Sequence, residues 1–448
     1  MKRRELAQGM MLTTIFGLAG TASAQPAGAG ATAWATAWTA SAHGPYPVGN
    51  PSAQPNQSFT FPQPQDGARD QTFRLVLRPS LWGRAARLRF TNAFGTQPLR
   101  IDGVHAGLQF GGAALVPGSN RPVRFGGQEA VTIPAGGQVW SDPVELPFAA
   151  DPDSPLLMGR KLAVSFHVAD RSGPMTWHAK ALQTSYLTAP GAGAHGQDEG
   201  EEAFPFSTTS WFFLDAVDMM APAGTPVILC FGDSITDGTA STLNGDDRWP
   251  DVLERRLKAT LGNRVAVINA GIGGNQVIGP AEYGPDKPFP GGPSAISRLE
   301  RDITSLSGIR TVIWLEGTND FSRNGNASLE AVRAGMRQGV QRLREAIPGV
   351  RLVGATVTPA LGSTSPAHGH AEQDEKRRGL NEFIRSSGLF DAVVDFDTAT
   401  RDPASGGLKP EMVPESTTGG AGDKLHPNRA GYLAMAMSIM PADVMPAH

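Results

Sequence analysis

Hydrophobic residues follow two different spacings along the chain. In the first half, short apolar runs at 72–77, 86–90, 131–133, 162–168 and 175–187 are separated by turn residues, with no long amphipathic stretch between them. This predicts strands joined by turns, and hence an antiparallel β-sandwich. Within 162–168, apolar residues alternate with small or polar ones, so His167 reads as a strand-face residue rather than a metal ligand. From residue 225 the pattern changes: compact apolar runs at 227–231, 265–269, 311–315, 351–356 and 392–396 alternate with helical periods. A parallel sheet covered by helices is expected there. In 328–346, Leu329, Val332, Met336, Val340 and Leu343 recur every three or four positions, which predicts a helix lying on the sheet and capped by Ser328. The stretch 191–202, rich in Gly, Ala and acidic residues, reads as a solvated loop.

The chain begins differently. Lys2-Arg3-Arg4, an apolar stretch over 10–19 and Ala22-Ser23-Ala24 form the three parts of a signal peptide, with cleavage expected after Ala24. A Gly, Ala, Ser and Pro-rich lead follows. The resulting division is a signal peptide at 1–24, a flexible lead at 25–65, a β-sandwich accessory domain at 66–222 and an α/β domain at 223–448, with the change of period at Ala221-Pro222-Ala223-Gly224. A secreted or periplasmic protein is expected. No stable membrane anchor is predicted, because the apolar stretch at 10–19 is too short to span a bilayer and no later segment suffices.

Composition narrows the function. A formal charge of −3 with intermixed signs leaves no broad cationic field for a nucleic-acid backbone, so nucleic acid is not expected as a partner. Cys230 is the single cysteine; no intrachain disulfide can form, and its apolar setting in 227–231 predicts a buried core side chain.

Four polar segments interrupt the α/β half. Phe231-Gly232-Asp233-Ser234-Ile235-Thr236-Asp237-Gly238 follows its first strand, where a serine would stand at the carboxyl edge of a parallel sheet. Alone, G-D-S describes an ordinary turn equally well. A serine hydroxyl needs a base near neutral pH, and Asp423-Lys424-Leu425-His426-Pro427 offers a histidine with a carboxylate to hold it. Asn269-Ala270-Gly271-Ile272-Gly273-Gly274-Asn275 and Glu316-Gly317-Thr318-Asn319-Asp320 follow the next two strands. They offer a backbone N–H and a side-chain amide to an oxygen that gains negative charge, although each also suits a turn or local cap. His368-Gly369-His370 lacks further nearby ligands, so no metal site is expected.

Taken in order, G-D-S, N-A-G-x-G-G-N, G-T-N-D and D-x-x-H-P resemble the blocks of the SGNH hydrolases, or GDSL esterase/lipase family, over about residues 226–440. Asp247-Arg248-Trp249-Pro250 and Asp395-Phe396-Asp397 are similar to a secreted bacterial branch with an N-terminal β domain. The resemblance implies a flavodoxin-like three-layer α/β/α domain with no metal or organic cofactor. It also implies Ser234 as nucleophile, Asp423 and His426 as its partners, and an oxyanion hole from Ser234, Gly274 and Asn319. No G-x-S-x-G elbow is present, which argues against an ordinary α/β-hydrolase. The expected activity is hydrolysis of small-molecule or polysaccharide carboxylic esters, with acetylated carbohydrate a candidate. Lipase or acyltransferase chemistry on the same fold and noncatalytic glycan binding are the alternatives. The sequence assigns no oligomeric state.

Overall fold

The first strand of the computed structural model, which describes residues 31–445, falls in a segment expected to be flexible. Thr32–Thr39 pairs antiparallel with Leu214–Pro222, and Trp38 meets Trp211 edge to face with ring centroids 4.9 Å apart. Phe61, further along, is also buried. The expected flexible lead at 25–65 is therefore corrected over its described part. Its small residues, Ala35 and Ala37 among them, are buried in the core, and Thr36 N–H donates to the Ser307 carbonyl at 3.0 Å. Small side chains here permit close packing. The expected signal peptide at 1–24 lies outside the described residues.

Two antiparallel sheets make up the first half. One runs Thr32–Thr39, Leu214–Pro222, Ala85–Thr91 and Gln138–Trp140; the other centres on Gln71–Leu77, Leu162–Val168 and Leu99–Gly111. The apolar run 175–187 does not form one strand. Trp177–His178 pairs with Trp211–Phe212, whereas Ser185–Leu187 joins the second sheet. Leu182 between them has φ 50°, a left-handed conformation that breaks a strand. The segment's polar groups turn instead to the other half of the molecule: Lys180 Nζ donates to Thr239 Oγ1 at 2.6 Å and Gln183 Nε2 to Asn244 Oδ1 at 3.0 Å.

Beyond a turn in which Thr225 N–H and hydroxyl both donate to the Pro222 carbonyl, the strands become parallel. Across the sheet they run Ala266–Gly271, Val227–Gly232, Ile309–Leu315, Arg351–Ala355 and Ala392–Val394. This is the flavodoxin-like order 2-1-3-4-5, in which ligands gather at the carboxyl end of the first strand, where the winding direction reverses. Ile228 and Cys230 point to one face, beneath Trp249–Leu261 and Arg429–Ser438. Leu229 and Phe231 point to the other, beneath Leu329–Ala346 and Ala371–Ser386. Three layers result. The predicted helix at 328–346 is present as Leu329–Ala346, with Ser328 Oγ accepting the Ala331 N–H. Cys230 is buried, and burial pushes its thiol up.

The two halves share one core: a single apolar cluster contains Leu75, Phe90 and Phe166 together with Leu229, Val312 and Met336. Their polar contacts interlock as well. Val267 N–H donates to Ser80 Oγ at 2.7 Å, and Trp82 N–H to Asn263 Oδ1 at 2.9 Å. Among the described residues, no helix is long and apolar enough to cross a membrane.

Candidate active site

Ser234 occupies the first turn after the central strand of the parallel sheet. Asp233 leaves the strand with extended backbone, and its carboxylate accepts the Ile235 N–H at 2.9 Å, capping the four-residue helix Ser234–Asp237. Gly232 is required at the strand end. A Cβ there would meet Thr236 Oγ1 at 2.3 Å and the Leu315 carbonyl at 2.5 Å. The turn thereby presents Ser234 at the sheet's carboxyl edge.

His426 arrives from a loop 192 residues later. The Ser234 hydroxyl donates to its Nε2 at 2.8 Å, and its Nδ1–H donates to Asp423 Oδ2 at 2.6 Å. The other carboxylate oxygen accepts the N–H groups of Leu425 and His426, both at 2.9 Å. Burial alone would raise the Asp423 carboxyl, but His426 and these N–H groups together hold it well below the usual carboxylate range. Lys424 takes φ 59° within this tight turn. From outside, Ser363 Oγ and Thr364 N–H fix the Asp423 carbonyl at 2.8 and 3.0 Å.

The loops that carry Gly274 and Asn319 follow the two strands that flank the central one, and they meet through Asn275 and Asp320. Asn319 Nδ2 donates one hydrogen to the Asn275 carbonyl at 2.9 Å, which leaves its second N–H for another acceptor. Asp320, next in sequence, accepts the N–H groups of Val277 and Ile278 at 2.8 and 3.2 Å, tying the two loops together. Burial pushes its carboxyl up to about 7. Below lies the fully buried Arg298. Its guanidinium donates to the carbonyls of Gly232 and Ala270 at 2.9 and 2.8 Å, to Asn275 Oδ1 at 2.8 Å and to Asp302 at 3.0 Å. One cation thus braces the serine turn and the glycine-rich loop.

Several of these residues carry no local sequence signal. Arg298 lies in none of the motifs, Asp237 stands in the G-D-S segment without an assigned role, and Asn50, His178 and Lys180 belong to the first half. Asp237 Oδ2 accepts the Gly273 N–H at 2.8 Å, and His178 Nε2 lies 3.1 Å from its other oxygen. Although burial opposes ionisation, His178 and Lys180 hold the Asp237 carboxyl below its ordinary range. Burial lowers Lys180 in turn. Asn50 Nδ2 donates to the Gly273 carbonyl at 2.7 Å. Signals for these partners exist only in three dimensions.

His368 and His370 are used locally. Gln373 Nε2 donates to His368 Nδ1 at 2.8 Å, and His370 Nδ1 accepts the Gln373 N–H at 3.2 Å to cap Ala371–Ser386. Among the described residues, no group of three or more His, Cys, Asp or Glu is placed to hold a metal ion. His167 lies on its strand with its ring nitrogens 2.7 Å from Asp102 and 2.9 Å from Asp70.

Residues 230–434 match the model of the GDSL-like lipase/acylhydrolase family. No curated protein matches the chain. Among solved structures, Est24, a carbohydrate acetylesterase from Sinorhizobium meliloti, is similar at 17% identity over 47% of this chain and 94% of its own, with a TM-score of 0.35. The aryl esterase of M. smegmatis is similar at 20% identity over 48% of this chain and 95% of its own, with a TM-score of 0.36. For the lipase/acylhydrolase of Enterococcus faecalis the corresponding values are 21%, 50%, 99% and 0.36.

Proposed function

As a chain that carries a domain of the GDSL-like lipase/acylhydrolase family, and is thus an ester-bond hydrolase, this protein is, we propose, a serine esterase with Ser234 as its nucleophile. The observation that carries the reading is the continuous Ser234, His426 and Asp423 chain, with links of 2.8 and 2.6 Å. His426 Nε2 takes the hydroxyl proton as Ser234 Oγ attacks the ester carbonyl carbon. Asp423 stabilises the imidazolium that forms and keeps Nδ1 protonated, so that Nε2 faces the serine. Negative charge moves to the former carbonyl oxygen, where the N–H groups of Ser234 and Gly274 and the spare Asn319 N–H meet it.

Collapse of the tetrahedral intermediate breaks the bond to the alcohol oxygen, which leaves with the proton held by His426. Water then attacks the acyl-Ser234 carbonyl while His426 removes its proton, and a second collapse releases the acid and restores the hydroxyl. No step calls for a metal or cofactor in this scheme. Substrates of this reading are carboxylic esters, acetylated carbohydrate among them, met outside the cytoplasm after cleavage following Ala24. The N-terminal pattern Lys2-Arg3-Arg4, 10–19 and Ala22-Ser23-Ala24 supports export.

A panel of nitrophenyl esters and acetylated oligosaccharides, run on the purified protein and on Ser234→Ala, tests nucleophile and substrate together. Turnover by the wild type that disappears in the variant is expected. Turnover that survives Ser234→Ala rejects the nucleophile.

A further inference from the structure

We propose that Asn50, contributed by the antiparallel half, is a positioning residue for the oxyanion hole of the α/β half. The inference rests on the esterase reading above, and it follows from the planarity of one peptide. The Gly273 carbonyl and the Gly274 N–H belong to the same peptide unit, and in a trans peptide they point in opposite directions within one plane. Whatever fixes the carbonyl therefore aims the N–H.

Asn50 fixes that carbonyl. Its Nδ2 donates to Gly273 O at 2.7 Å and to Pro290 O at 3.2 Å. Both neighbours are carbonyl oxygens, so the nitrogen, not the oxygen, of the Asn50 amide must face them. On the other side of Gly273, Asp237 Oδ2 accepts the N–H at 2.8 Å. The two bonds hold the peptides on either side of Gly273, one from the helix that begins at Ser234 and one from the sandwich. Donation to the carbonyl also polarises the shared amide and strengthens its N–H as a donor.

Packing closes the arrangement. Gly274 has φ 88°, and a Cβ there would come within 2.8 Å of Asn50 Nδ2; a Cβ on Gly273 would lie 3.1 Å from Lys180 Nζ and 3.3 Å from Asn50 Cβ. Two glycines in succession thus let the loop lie directly against Asn50 and Lys180. Asn50 itself follows a turn in which Val48 N–H donates to the Pro45 carbonyl at 2.9 Å, and Trp177 Nε1 donates to the Val48 carbonyl at 3.3 Å. The antiparallel half enters the reaction through this turn rather than only supporting the sheet.

The test compares Asn50→Ala and Asn50→Asp with the wild type in kcat and KM for p-nitrophenyl acetate, inhibition by phenylboronic acid, and thermal denaturation. Phenylboronic acid forms a tetrahedral adduct on a nucleophilic serine and places an anionic oxygen where the oxyanion would sit. Both variants are expected to lose about 10–10²-fold in kcat, the range for a small misplacement of a reacting group. KM should change little, boronate inhibition should weaken in parallel with kcat, and at least Asn50→Ala should keep its melting temperature. Unchanged kcat in the folded Asn50→Ala variant would overturn the assignment, as would a fall in kcat with boronate inhibition intact. Ser234→Ala, run alongside, separates the two claims: its continued turnover rejects Ser234 as the nucleophile and the site reading on which the inference rests, whereas its inactivity with a fully active Asn50→Ala rejects Asn50 alone.

Discussion

Buried polar groups are used differently in the antiparallel half and at the carboxyl edge of the parallel sheet. In the antiparallel half, Arg89 pairs with Asp215 through bonds of 2.8 and 3.0 Å and reaches across to Ser305 Oγ at 2.7 Å. Arg74, lowered to about 10 by burial, spends its donors on Ser165 Oγ and on the carbonyls of Ala113, Gly200 and Asp198. These groups are turned inward and consumed by the fold. At the carboxyl edge of the parallel sheet, Asn319 keeps a spare N–H and Ser234 offers its oxygen beside a base. Bonding capacity spent on neighbours fixes architecture; capacity left over at a sheet edge is available to a substrate.

Substitutions can break this contrast, and the largest effect belongs to Ser234→Ala. It removes the attacking oxygen without adding bulk, so turnover should fall by up to about 10⁶-fold, towards the uncatalysed rate, in steady-state assays with an unchanged melting temperature. Next comes Asp423→Asn, expected to cost up to about 10⁴-fold in kcat, because an amide neither stabilises the imidazolium nor favours the useful tautomer. This variant also carries a pH signature. The folded Asp423 carboxyl is depressed, so its contribution to stability is present above the unfolded carboxylate range and is lost as pH falls through the folded value. The wild type should therefore exceed Asp423→Asn in melting temperature at pH 7, and the gap should shrink in scans below about pH 4.

Asn319→Ala sharpens the comparison, since its amide serves both the Asn275 carbonyl and the proposed oxyanion. Loss of about 10²–10³-fold in kcat, equivalent to about 3–4 kcal/mol, is expected with a smaller change in KM. Denaturation of the same sample shows whether the Asn275 contact matters more: a large stability loss with normal turnover would make Asn319 only a structural link. The smallest effect is expected from Thr36→Val in the other half. Thr36 Oγ1 donates to the buried Asp218 carboxylate at 2.7 Å and accepts the Ser307 N–H at 2.9 Å. Its loss should cost about 2 kcal/mol in denaturant unfolding while leaving kcat unaltered.

The parallel sheet is legible in the sequence for a physical reason: strands buried on both faces are continuous apolar runs, and 227–231 and 311–315 lie wholly inside observed strands. Ser234, Asp423, His426, Gly274 and Asn319 are legible because each lies in a short motif at a strand end or loop. Thr32–Thr39 is not, because alanines and threonines that pack closely between two halves have the composition of a flexible segment. Leu99–Gly111 is also obscured, its 13 residues interrupted by Gly103 and Gly107. Asn50 is hidden most completely, since the loop it touches is 223 residues away. Short-range pattern reports what a residue buries, and such contacts arise only from topology.

Ser234 is the nucleophile in this scheme, and a fluorophosphonate, which loses fluoride as it phosphonylates an activated serine, lets peptide mass spectrometry locate that nucleophile. A single stoichiometric adduct is expected on the peptide containing Ser234, formed at a rate that falls sharply in the folded Asp423→Asn variant. An active enzyme that remains unlabelled at Ser234, or that carries its adduct on another residue, would contradict the assignment.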